Sequence, residues 1–451
     1  MRRYLALAAA ALIAFGDCLR GSFHFDDYAM LASPQGPGWL LQTRPLTQFT
    51  FWLNHLVCGT NPIGYHAVNL LLHVSAVCLL FQVLRELTSE EIAFAAAFIF
   101  AIHPIQSEPV AYIFARSSIL ATLFCLLSWR SWTRDQTTLA VIWFGAALLS
   151  KEECVTFPLV LLLIGPRRWK PIAAMLGMAL AVGLHSAYAT HVIAGSGAGF
   201  TAGVSPIEYL ASQGIVIGRY FRLLTVPWGF TIDPEIHRAL WQELLAWIIV
   251  IAAVIYFRKH HWLMAGMVLL IPSSSIFPAT DLAADRRMYL PMIAFSVAIA
   301  PLVWKWKYVA APVLLLLSIG RMEVWRTERT LWLEAVERSP GKSRPAIQLA
   351  RAVPLQEALQ VLSAAPANAD VYTEKGRVYL DLSEPADALR EFGQALALTP
   401  RDAHAINNRG VALFALGQPT AARLDFEKAL AIDPNLQDAQ RNLARATAAG
   451  K

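Results

Sequence analysis

Two adjacent carboxylates, Asp26 and Asp27, sit in the stretch Gly21-Ser-Phe-His-Phe-Asp-Asp-Tyr28, where a first apolar helix should leave a lipid bilayer. The run from Tyr4 to Leu19 before them is almost wholly apolar and is led by Arg2 and Arg3. That order puts the arginines on the cytoplasmic side and the acidic pair on the opposite one. Neighbouring carboxylates raise one another's pKa, which suits a base that takes a proton from a hydroxyl. A solvated interfacial loop is the plainer reading of the same residues. Arg286 and Arg287 follow Asp281 and Asp285 at the mouth of another apolar run. Arginine grips phosphate oxygens with two donors at once, so one of the two is expected to anchor a phosphate and the other to pair with Asp285.

Other charged groups fall on the same side. His103 and Glu108 share a short loop, Arg116 opens the helix after it, and Lys151-Glu152-Glu153 interrupts two further runs. Arg116 and Lys151 could contact phosphate, as could Arg219 and Arg222, which are expected on one helical face. Each has an ordinary alternative. His103-Pro104 reads equally as a satisfied turn, Lys151-Glu152-Glu153 as an interfacial ion pair, and Arg219 and Arg222 as side chains snorkelling to lipid headgroups.

The elements that must position these groups are apolar helices. The chain has 451 residues, of which 56% are hydrophobic and 16% charged, with a mean hydropathy of +0.45. That composition predicts an all-α, polytopic membrane protein rather than a soluble globule. Apolar runs recur at 63–84, 92–102, 117–129, 138–149, 156–164, 172–190, 240–257, 262–277, 288–303 and 308–319, and with the first they make about eleven expected spans. Threaded alternately, they put Arg85, Arg130, Arg134, Arg167, Arg168, Lys170, Arg258, Lys259, Lys305 and Lys307 on the side of Arg2 and Arg3. The segment 207–229 breaks that alternation and is expected to be re-entrant or interfacial, and 38–41 and 46–58 to lie along the outer surface. The first helix is expected to stay uncleaved, because Asp17 disfavours processing.

The net charge of +6 comes from these short basic loops, and no basic stripe with stacking aromatics appears, so nucleic-acid binding is not expected. Cys18, Cys58, Cys78, Cys125 and Cys154 lie in or beside apolar segments without metal-ligand spacing and read as small buried hydrophobes.

Beyond Arg321 the chain becomes rich in alanine, leucine and charge. Gly376, Leu382, Ala388, Phe392, Ala395, Leu396 and Pro400 recur as Gly410, Leu416, Ala422, Phe426, Ala429, Leu430 and Pro434. The spacing is about 34 residues, the tetratricopeptide period. Residues 355–366 read as the second helix of a shortened repeat and 332–340 as an isolated helix. The expected organisation is a membrane domain over 1–322 and a short α-solenoid over 323–451, which an odd span count places outside the cytoplasm.

Phe25-Asp-Asp-Tyr28, Arg44-Pro-Leu-Thr47, Asn61-Pro-Ile-Gly-Tyr-His-Ala-Val-Asn69, His103-Pro-Ile-Gln-Ser-Glu-Pro-Val110, Ser150-Lys-Glu152 and Asp285-Arg-Arg-Met-Tyr-Leu-Pro291 occur in that order before the repeats. With them the chain resembles bacterial relatives of the transmembrane-and-tetratricopeptide O-mannosyltransferases, members of the GT-C class of glycosyltransferases. The resemblance implies a GT-C-like bundle in a bacterial inner membrane, with the repeats in the periplasm or outside. It implies transfer of a sugar from a polyprenyl-phosphate donor to an acceptor hydroxyl, of protein Ser or Thr or of a glycan. Asp26 or Asp27 matches the acidic pair that supplies the base in this class, with Asp26 the first choice and Asp27 its orienting or acceptor-binding neighbour. His103, Glu108, Arg116, Lys151, Glu152, Arg219, Arg222, Arg286 and Arg287 fall to donor or acceptor binding. No metal or other cofactor is expected, although some GT-C enzymes use a divalent ion. The rival reading is a non-catalytic envelope scaffold whose repeats recruit partners, but charges gathered at helix ends are costly there and unneeded.

Overall fold

The computed structural model describes residues 1–28, 44–192, 204–279 and 281–449. Their regular elements are all helices, with no β-strand among them. The chain divides into two compact units, Met1–Thr330 and Leu331–Lys451.

The first unit opens with α1 (Arg2–Phe15), α2 (Pro45–Cys58), α3 (Pro62–Leu84), α4 (Glu90–Ile102) and the short α5 (Ser107–Ala111). It continues through α6 (Arg116–Thr133), α7 (Thr137–Ser150), α8 (Phe157–Ile164), α9 (Trp169–Val192) and α10 (Pro206–Thr225). Then come α11 (Leu240–Phe257), α12 (His261–Leu270), α13 (Met292–Lys305), α14 (Lys307–Val324) and α15 (Glu328–Arg338), the last crossing into the second unit. Local sequence sets these starts. Asn61 caps α3 by accepting from the Ile63 N–H, Ser89 does the same for α4 with Glu90 and Glu91 in its first turn, and Ser205 and Glu208 close a reciprocal box on α10.

Among the described residues three helical stretches are long and apolar enough to cross a membrane, namely Pro62–Leu84, Ile113–Thr133 and Leu240–Phe257. A fourth arises if α14 and α15, bent through 111° at their junction, count as one span. The expected eleven are therefore not found as eleven full-length helices among the described residues. Most of the other runs fold as pieces of 8 to 14 residues, such as α4 (13), α7 (14) and α8 (8), while the run at 172–190 lies in the 24-residue α9. At 1.5 Å per residue a 14-residue helix reaches only about 21 Å of a core about 30 Å thick. Prolines and charged residues mark the breaks: Pro104 and Pro109 follow α4, and Lys151-Glu152-Glu153 separates α7 from α8.

Buried polar ties hold the pieces together. His73 on α3 meets the Tyr289 hydroxyl at 2.8 Å and the Ala101 carbonyl at 3.3 Å, and Ser318 on α14 donates to the Ile102 carbonyl at 2.6 Å. The segment expected to resist threading forms α10, whose Tyr209, Val216, Ile217, Tyr220, Leu223 and Leu224 are buried while Arg222 is exposed. After α10 the chain doubles back, since Arg238 donates to the Glu208 carbonyl at 3.1 Å near the start of the helix. The expected surface element at 46–58 is α2, and the one at 38–41 lies outside the described residues.

The second unit stacks paired helices: α16 (Ser343–Arg351) with α17 (Leu355–Ala364), α18 (Ala369–Asp381) with α19 (Pro385–Leu398), and α20 (Ala403–Ala415) with α21 (Pro419–Ile432), closed by α22 (Gln437–Ala449). A Cβ on Gly376 would lie 2.6 Å from the Phe392 ring, and one on Gly410 2.6 Å from the Phe426 ring. Each glycine thus lets the aromatic of its paired helix fill the crossing. Residues 355–366, expected as half a shortened repeat, have a first helix after all. It is only nine residues long and carries Pro345 in its first turn.

Candidate active site

The acidic pair owes its geometry to one turn. Phe25 takes φ +46°, in the left-handed region that side chains other than glycine rarely adopt, and such backbone strain collects at functional sites. Asp27 points inward and is fully buried. Its Oδ2 accepts from the His24 N–H at 2.9 Å and its Oδ1 from the Phe114 N–H at 2.8 Å. Asp26 is only partly buried, and its Oδ2 accepts from the Tyr112 hydroxyl at 2.7 Å. Among the described residues its Oδ1 takes no hydrogen bond, so one carboxylate oxygen of Asp26 is open while both of Asp27 are spent.

Burial pushes the Asp27 carboxyl from an ordinary 3.8 up to about 7, against the pull of His24 and the two amides. The neighbouring Asp26 charge adds the smallest share, so desolvation rather than mutual repulsion dominates. Between these values the folded chain holds a proton that the unfolded chain has lost. The stability tied to Asp27 is therefore complete below about pH 4 and is lost as the pH rises through about 7. Thermal melting of the purified protein is expected to fall more steeply across this window in the wild type than in Asp27→Asn. Parallel melting curves would show that Asp27 does not titrate there.

Glu108 on α5 is buried, and both its oxygens hold Arg286: Oε1 accepts from Nη1 at 2.6 Å and Oε2 from the backbone N–H at 3.0 Å. Burial raises the Glu108 carboxyl and the Arg286 charge lowers it, leaving it above its ordinary value. Arg286 also reaches Asp281 at 3.2 Å. Arg287 spends its fork elsewhere, on the carbonyls of Asp281 (2.8 Å) and Leu282 (3.1 Å) and on the Tyr209 hydroxyl (3.1 Å). Neither arginine pairs with Asp285, contrary to expectation; the partner of Asp285 is the largely buried Arg219. Arg222, three residues on, is exposed and has no ion pair among the described residues, so these two arginines do not act as one cationic face.

Glu152 accepts from Arg44 at 2.6 and 3.0 Å. Burial opposes its charge, but the guanidinium outweighs burial and brings it down to about 2. Lys151 is buried between the Ser118 hydroxyl (2.9 Å) and Glu153 (2.7 Å), and burial lowers its pKa. The Thr47 hydroxyl ties α2 to this turn through the Ser150 carbonyl at 2.9 Å. Arg44, missed as a site candidate, could have been found from its charge in Arg44-Pro-Leu-Thr47.

Arg116 and His103 have structural partners. Arg116 is wholly buried, donating to Asn69 Oδ1 (2.7 Å), the Tyr65 carbonyl (3.0 Å) and Thr50, with its guanidinium over the Phe51 ring. His103 accepts from the Ile105 N–H at 3.1 Å with Nδ1 and faces the Leu224 carbonyl at 3.1 Å with Nε2. Burial lowers it to about 4, so it is a neutral tie between the α4 end and α10.

The remaining groups form one electrostatic cluster. Tyr112, which holds Asp26, feels the Arg286 charge, and Arg286 in turn acts on Arg44 and Lys151. A partly open carboxylate is therefore linked through Tyr112 to the acids and cations around Arg286, Arg44 and Lys151.

A family profile described as "Dolichyl-phosphate-mannose-protein mannosyltransferase" matches residues 42–191, and one described as "Tetratricopeptide repeat" matches residues 373–436. "Protein O-mannosyl-transferase F38B6.6" of Caenorhabditis elegans is 26% identical over 76% of this chain and 59% of its own length. Human "Protein O-mannosyl-transferase TMTC1" is 33% identical over 29% of this chain and 18% of its own length. Drosophila melanogaster "Protein O-mannosyl-transferase Tmtc1" is 37% identical over 25% and 14%. The chain thus spans a little under three fifths of the nematode relative and far less of the others. These matches carry the resemblance to O-mannosyltransferases with tetratricopeptide repeats, on both the membrane and the repeat segments.

Proposed function

We propose that this chain is a membrane glycosyltransferase that moves a sugar from a polyprenyl-phosphate donor to an acceptor hydroxyl, most simply that of a protein serine or threonine. Asp26 takes the hydroxyl proton as the oxygen bonds to the anomeric carbon. The bond from that carbon to the phosphate oxygen breaks, and its electron pair leaves with the phosphate, which Arg286 receives. Lys151 and Arg44 add positive charge behind it, and Asp27 holds the turn that aims Asp26. The reaction runs on the extracytoplasmic face of a bacterial inner membrane, with the repeats on that side engaging the acceptor, and the shorter apolar helices complete the set of spans.

The observation that carries this reading is the unequal treatment of the two acids: one buried and capped by amides, the other open on one oxygen beside a cationic cluster. Purified full-length protein incubated with labelled polyprenyl-phosphate sugars and an acceptor peptide mixture is expected to label a hydroxyl of the acceptor. No labelled product from any donor, with the protein folded, would favour the scaffold reading.

A further inference from the structure

The residues that lead into the acidic pair are held by a segment some 300 positions away, the junction between α14 and α15. The Ser22 N–H donates to the Arg326 carbonyl at 3.1 Å. His24 Nε2 lies 2.8 Å from the Trp325 carbonyl, and its Nδ1 lies 3.1 Å from Glu328 Oε1. The same Oε1 accepts from the Phe25 N–H at 3.1 Å. On the other side, Tyr112 stacks on the Trp325 ring, with centroids 5.9 Å apart and planes at 24°. The junction therefore reaches the pair twice, through the turn before Asp26 and through the tyrosine that holds its carboxylate.

Two features single out Glu328. Phe25 stands in a left-handed conformation that its side chain disfavours, and the Glu328 carboxylate is what its amide bonds to there. Both nitrogens of buried His24 face oxygens, the Glu328 carboxylate and the Trp325 carbonyl, so Glu328 also orients the ring.

We propose that Glu328 is a positioning residue for Asp26: by binding the Phe25 amide and the His24 ring it fixes the turn that presents the Asp26 carboxylate outward. The inference rests on the reading of Asp26 as the base. Misplacing a reacting group by about 1 Å costs on the order of 10²-fold in rate. Full-length protein in lipid nanodiscs is to be compared as wild type, Glu328→Ala and Glu328→Gln, measuring kcat and donor KM separately together with amide hydrogen exchange over residues 21–28. Glu328→Ala is expected to lower kcat by ~10–100-fold with donor KM nearly unchanged, and to speed exchange at the Phe25 amide. Glu328→Gln, whose amide oxygen still accepts from that N–H, should recover most of the rate. Unchanged kcat in Glu328→Ala overturns the proposal, as does a joint loss of kcat, KM and melting temperature that glutamine fails to restore. If the wild type transfers no sugar, the functional reading falls while the exchange data still decide the clamp: faster exchange in Glu328→Ala upholds it, and unchanged exchange overturns it.

Discussion

Asp26→Asn is expected to lower sugar transfer by ~10²–10⁴-fold while leaving the chain folded and able to bind donor, because loss of a general base costs about that much. The asparagine oxygen can still accept from the Tyr112 hydroxyl, so the shape of the turn survives. What disappears is the open oxygen that would take the proton. Asp27→Asn behaves differently. Each Asp27 oxygen accepts a backbone N–H, and an amide presents a donor at one of those two places. A buried unsatisfied group costs roughly 1–3 kcal/mol, so Asp27→Asn should show in melting before it shows in chemistry. Turnover with a chosen donor and acceptor, alongside melting, separates the two. Near-normal turnover in folded Asp26→Asn would move the base to Asp27 or Glu108.

That contrast between neighbouring acids shows what a sequence conceals. The pair itself is legible, since two carboxylates after an apolar run are costly and stand out. So are the repeats, whose glycines and phenylalanines recur because each glycine must admit one ring. Which acid points inward depends on the left-handed Phe25, and that conformation depends on Glu328, far away in the chain and carrying no local pattern. The arginine partners are hidden for the same reason. Arg219 and Asp285 lie 66 positions apart, and Arg286 and Glu108 178 apart, so proximity along the chain does not reveal either partner. The apolar runs announce helices but not their breaks, because a Lys-Glu-Glu turn inside the bundle can be satisfied by Arg44 and Ser118 instead of by water.

Arg286→Ala is expected to weaken donor binding by ~10–150-fold, the equivalent of roughly 1.5–3 kcal/mol for a charge-assisted hydrogen bond. Glu108 and Asp281 hold Arg286 from two sides through Nη1 and Nη2, and its side chain remains 24% exposed. A guanidinium has five N–H donors and these two contacts use only some of them, so donors remain for a departing phosphate. Arg286→Lys keeps the charge but not the fork and should restore only part of the affinity. The alanine variant also strands Glu108 in a buried site, where it answers by taking up a proton, since burial already raises its pKa. Arg287→Ala provides the contrast, because Arg287 donates to two backbone carbonyls and to Tyr209 and holds the loop in shape. Its loss should lower the melting temperature more than the donor affinity. Equilibrium binding of a polyprenyl-phosphate sugar to the two variants, with melting measured on the same samples, tests the division. Unchanged affinity in a folded Arg286→Ala protein would shift the anchor to Arg222, which is exposed and has no ion pair to break among the described residues.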